Sequence, residues 1–96
     1  MIRHIVMFNW KPGTDPAVVD QVSAGFAKMC EAIPHVQSMS WGPDQGLAEA
    51  NFDYAMTADF ASVEDWNSYQ AHAEHVAFFQ KFGAHAAEAA RVQIEI

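Results

Sequence analysis

The first ten residues alternate with a period of two. Ile2, His4, Val6, Phe8 and Trp10 fall on one side of an extended segment over residues 2–10, which sets an imidazole in an otherwise apolar row. Lys11-Pro12-Gly13-Thr14 ends that strand with turn chemistry, since Pro12 lacks a backbone donor and Gly13 tolerates positive φ. The period then lengthens. Val19, Val22, Phe26, Met29, Cys30 and Ile33 make one helical stripe, opened by Asp15 as cap and Pro16 at the first helical position and stopped by Pro34. A second strand is predicted over residues 36–42, followed by the turn-rich loop Gly42-Pro43-Asp44-Gln45-Gly46. A third strand spans residues 52–60, with Phe52, Tyr54, Met56, Ala58 and Phe60 on one face and Asp53, Ala55, Thr57 and Asp59 on the other. Ser62 caps the next helix, and Glu64 and Asp65 favour its positive end. This helix turns Trp66 and Tyr69 inward and is expected to kink near Ala71-His72. It then continues through Val76, Phe79, Gly83 and the alanine-rich stretch to Ala90. Residues 91–96 form the last strand, with Val92, Ile94 and Ile96 opposite Arg91, Gln93 and Glu95.

The order β-α-β-β-α-β predicts an α+β fold of the ferredoxin-like type, a four-stranded antiparallel sheet with both helices on one face. The 96 residues suffice for one domain, 1–96, near the lower limit of comfortable single-core size. Two helices cover only one face, so Ile5, Met7, Met39, Trp41 and Ala55 are expected on an uncovered apolar side that needs a partner.

Charge narrows the partners. Twelve acidic against five basic residues give a formal charge of −7, which argues against nucleic acid and anionic membrane surfaces. No apolar run is long enough to span a bilayer, and Arg3 and His4 interrupt any signal-peptide pattern, so a cytoplasmic location is expected. Cys30, the lone cysteine, reads as a small core residue. His35 and His85 read as surface positions, and Glu74 as a solvated helix residue. His72 and His75 stand at a spacing that two ligands of one metal can share, but no further ligand pattern accompanies them. Neither a metal nor a cofactor is expected.

Strand parity sends His4 and Tyr54 into the layer between sheet and helices, and helical spacing turns Tyr69 and His75 towards the same layer. Imidazoles and phenols gathered in an apolar pocket allow general acid–base chemistry beside a carbonyl. The phrases Arg3-His4-Ile5-Val6-Met7-Phe8 and Tyr69-x-x-His72-x-x-His75, in that order, resemble the stress-responsive A/B barrel family, also called Dabb or dimeric α/β-barrel domains. The resemblance implies a homodimer in which two sheets close an eight-stranded barrel. In the plant polyketide cyclases of that family, the tyrosine and final histidine of the late phrase are the acid–base pair of an aldol closure. Carried over, those roles fall on Tyr69 and His75, with His4 in support. Where those cyclases present a histidine on the third strand, this chain has Tyr54.

Tyr54, His72, Trp66, Phe79 and Phe8 are expected to line the pocket around a small apolar carbonyl or aromatic ligand. Three readings stay open at this point. The first is a cofactor-independent lyase, isomerase or cyclase; the second is a non-catalytic stress-response or ligand-binding dimer; the third is a cofactor-free monooxygenase.

Overall fold

β1 (Ile2–Trp10) is a central strand, hydrogen-bonded on both sides, and everything in the sheet is registered on it. The computed structural model describes residues 1–96. After β1 come α1 (Pro16–Ala32), β2 (Ser38–Pro43), β3 (Tyr54–Phe60), α2 (Val63–Ala71), α3 (Ala73–Phe82), a 3-10 turn at Gly83–His85 and β4 (Ala86–Glu95). The sheet order is β2-β3-β1-β4, with every pairing antiparallel. This is the ferredoxin-like arrangement that the alternation predicts.

Local chemistry sets the boundaries. Asp15 accepts from the Ala17 amide at 2.8 Å and Pro16 begins α1, while Ser62 accepts from the Asp65 amide at 3.2 Å and opens α2. The expected kink is a full break: His72 is extended, and its Nδ1 accepts from the Glu74 amide at 3.1 Å, so this one residue ends α2 and caps α3. Gly13 takes φ +82° in the turn after β1, where a side chain would be strained. At Gly25 the need is space. A Cβ there would come within 2.9 Å of the Phe78 ring, so the glycine lets α1 and α3 approach.

The core lies between the sheet and the helices. Val22, Phe26 and Met29 from α1 and Ile33 just after its end meet Phe8, Tyr54, Met56, Ala58 and Phe60 from the sheet, closed by Tyr69 and Phe82. Burying such a set is the main source of stability, at about 1.5–3 kcal/mol for each large apolar side chain.

Five sequence expectations need correction. Residues 86–90 are strand, not helix. Their alanines favour a helix locally, but pairing of Met7 with Ala90, Phe8 with Ala89 and Trp10 with Ala86 satisfies more backbone than an isolated helical extension can. Met39 and Trp41 face the helices rather than the open side. They lie opposite Ala58 and Met56, and Trp41 approaches Phe26 at 6.4 Å between ring centres. Cys30 and His35 are both half-buried, and His35 Nδ1 is sealed without a hydrogen-bond partner. Glu74 is also half-buried, with an oxygen 3.6 Å from Lys28 Nζ.

The helix-free face carries Ile5, Met7, Ala55, Ala90, Val92 and Ile94. Met7, Val92 and Ile94 are 36%, 49% and 43% exposed, which leaves a contiguous apolar strip across three strands. A bidentate Arg3–Asp59 pair at 2.8 and 3.0 Å bounds one end, and an Asn9–Glu88 hydrogen bond at 2.6 Å bounds the other.

Candidate functional site

A cavity of about 540 Å³ opens between the helix-facing side of the sheet and α3. Its existence traces to β4. The register slips between Asn9 and Trp10, so Ala87 is left over as a bulge and both Ala86 and Ala89 point to the helix side. Two methyl groups therefore stand where larger side chains would fill the space beneath the aromatic rings of α3.

His4 and Phe8 from β1, Tyr69 from the last turn of α2, and His75 and Phe79 from α3 all line this cavity. The Tyr69 and His75 rings approach edge to face at 4.7 Å between centres, and His4 lies 6.1 Å from Tyr69. The break at His72 produces this convergence, because it lets α3 start in a new direction at Ala73 and bring His75 back to Tyr69, six residues earlier in the chain.

Three other sequence-predicted residues sit elsewhere. Tyr54 stacks between Phe8 and Phe26 at 5.1 and 5.9 Å, and its hydroxyl is tied to Ser23 at 2.7 Å, away from the cavity. Trp66 lies behind His4, and His72 is occupied as a helix cap. Two residues escaped sequence reasoning. Gln93 Nε2 lies 2.9 Å from His4 Nδ1, and Arg91 lines the cavity. Parity puts both on one face of the last strand, but only the register shows that this is the face of His4 and Val6.

Trp66 Nε1 also reaches His4 Nδ1, at 3.4 Å. An indole only donates, so Nδ1 is an acceptor and the imidazole proton resides on Nε2. Burial is the first cause that lowers the His4 pKa to about 4, helped by the positive potential of His75 and Arg91. Burial lowers the His75 pKa as well, against a backbone hydrogen bond to Gln70 that favours the charged ring, while Arg91 again pushes it down. Burial raises the Tyr69 phenol strongly. The site thus holds two neutral imidazoles and one protonated phenol at neutral pH. Across the fold, no three histidine, cysteine or carboxylate side chains converge as a metal-binding group.

The family model of the stress-responsive A/B barrel domain matches residues 2–96. The chain belongs to that family. This A/B barrel chain is similar to a dimeric ferredoxin-like protein of unknown function from Thermobifida fusca. The two are 34% identical, with 99% of this chain and 90% of that one covered at a TM-score of 0.93. It is 25% identical over 79 residues to the stress-response A/B barrel domain-containing protein HS1 of Arabidopsis thaliana, covering 80% of this chain and 72% of the relative. A hydroxynitrile lyase from Passiflora edulis shares the fold at a TM-score of 0.88, with 23% identity over 99% of this chain and 92% of the enzyme. No helix of this A/B barrel chain is long and apolar enough to cross a membrane.

Proposed function

We propose that this protein is a homodimer whose cavity takes up a small, largely apolar carbonyl or aromatic compound and acts on it as a cofactor-independent lyase, isomerase or cyclase. The observation that carries this reading is the approach of Tyr69 and His75 to 4.7 Å on one wall of an apolar cavity. His75 is the base. It removes a proton from the carbon next to a carbonyl, and the C–H electron pair becomes a carbon–carbon double bond as the carbonyl π pair moves onto the oxygen. The Tyr69 hydroxyl donates a hydrogen bond to that developing oxyanion, an interaction strengthened by the low dielectric of the cavity. The His75 imidazolium then returns the proton to the product. His4, with its proton on Nε2, adds a second donor beside the same oxygen.

The imidazoles suit this work because burial keeps them unprotonated at neutral pH, and the phenol because burial keeps its proton in place. A volume of about 540 Å³ is that of a pocket for one small organic molecule. The dimer is supported by the uncovered apolar strip around Met7 and Val92 and by the similar Thermobifida fusca protein, which is described as dimeric.

A screen in deuterated buffer tests the reading. β-Polyketo thioesters, cyanohydrins, lactones and 1,3-dicarbonyls are incubated with the protein while proton NMR follows turnover and exchange at the acidic carbon. Accelerated exchange or conversion in at least one class supports the proposal. Saturable binding of these compounds with no exchange above buffer favours the non-catalytic dimer instead.

A further inference from the structure

Arg91 carries the single formal charge on the cavity lining, among aromatic, aliphatic and neutral polar neighbours. It is exposed, and pairing opposite Val6 fixes its side chain on the helix-facing side of β4. The molecule's two ion pairs are Arg3–Asp59 and Lys28–Glu74, so no carboxylate of this acidic chain neutralises it. Its guanidinium sits instead over the Phe79 ring, 5.9 Å from the centre, at the rim of the cavity. Ala89, its neighbour on the same face of β4, leaves the floor beside it open.

We propose that Arg91 makes the cavity selective for an aromatic or alkyl carboxylate, holding the carboxylate at the rim while the apolar body lies among Phe26, Phe78 and Phe79. The planar fork of a guanidinium matches a carboxylate with two parallel hydrogen bonds, and the aromatic ring beneath it holds the fork in place. This assignment rests on the reading of the cavity as a small-molecule site, and it names the substrate class. A carbonyl placed beside Tyr69 and His75 then belongs to a keto acid or an aryl acid.

Matched pairs of probes test it. Phenylacetate and 2-naphthoate are titrated by calorimetry alongside their neutral counterparts phenylacetone and 2-acetonaphthone, into wild type, Arg91→Met and Arg91→Lys. The wild type should bind each acid about tenfold or more tightly than its neutral partner, as expected for one charge-assisted pair. Arg91→Met should abolish that preference while leaving the ketones within about twofold, and Arg91→Lys should restore part of it. The position is exposed on an edge strand, so the variants should unfold at the wild-type temperature. Equal affinity for acids and ketones, unaffected by Arg91→Met, overturns the assignment and leaves the cavity reading intact. Failure of both acids and ketones to bind at millimolar concentration overturns both.

Discussion

Gln93 reaches across the β1–β4 ladder to His4, its amide nitrogen 2.9 Å from Nδ1. With Trp66 donating to the same atom, the neutral ring satisfies both donors, and a second proton on Nδ1 would break both contacts. The consequence is a stability that depends on pH. The unfolded chain takes up a proton at His4 near the ordinary value of 6.5, whereas the folded protein resists it down to about 4. Between those values the unfolded state binds more protons, so stability is full above pH 6.5 and falls as pH drops towards 4. His75, also lowered, adds a loss of the same sign. Urea unfolding in steps from pH 7 to 4 should show a decline on the order of 2–3 kcal/mol from His4, reduced in His4→Gln. A flat profile would show that His4 titrates normally in the folded state.

The hydroxyl of Tyr54 is spent on Ser23 rather than on the cavity. Tyr54→Phe should therefore cost about 0.5–1.5 kcal/mol, the usual net worth of such a hydrogen bond, and leave ligand affinity and turnover unchanged. A loss of affinity without a loss of stability would return Tyr54 to the binding site.

The open sheet face should be the dimer contact. Met7→Asp places a charge in the middle of the apolar strip, where pairing would strip its water and offer no partner. Light scattering should give twice the monomer mass for the wild type at micromolar concentration and the monomer mass for Met7→Asp and Val92→Asp. A wild-type monomer, or dimers that survive both substitutions, would place the contact elsewhere.

Much of this was legible in the chain. Period-two alternation and clear caps carried the order of elements, and parity with helical spacing brought His4, Tyr69 and His75 into one layer. What failed was non-local. Ala86–Ala90 has helical propensity, and only its pairing with β1 makes it a strand. The facing of Met39 and Trp41, and the meeting of Gln93 and Arg91 with the histidine site, depend on strand register, which partner strands fix and local sequence does not. Tyr54 and Trp66 have the inward positions expected of pocket residues, but stacking and hydrogen bonding commit them to the layer behind the cavity wall.

His75 as a general base partnered by Tyr69 is the central claim, and the turnover of His75→Ala measured beside its unfolding temperature tests it most directly. His75 is half-buried at a cavity wall, so its truncation should leave the fold and the dimer in place. Turnover of whichever substrate the wild type converts should fall by roughly 10²–10⁴-fold, the range for a positioned acid–base group, with Tyr69→Phe also impaired. Turnover that persists in His75→Ala at the wild-type rate, with an unchanged melting temperature, would contradict the account.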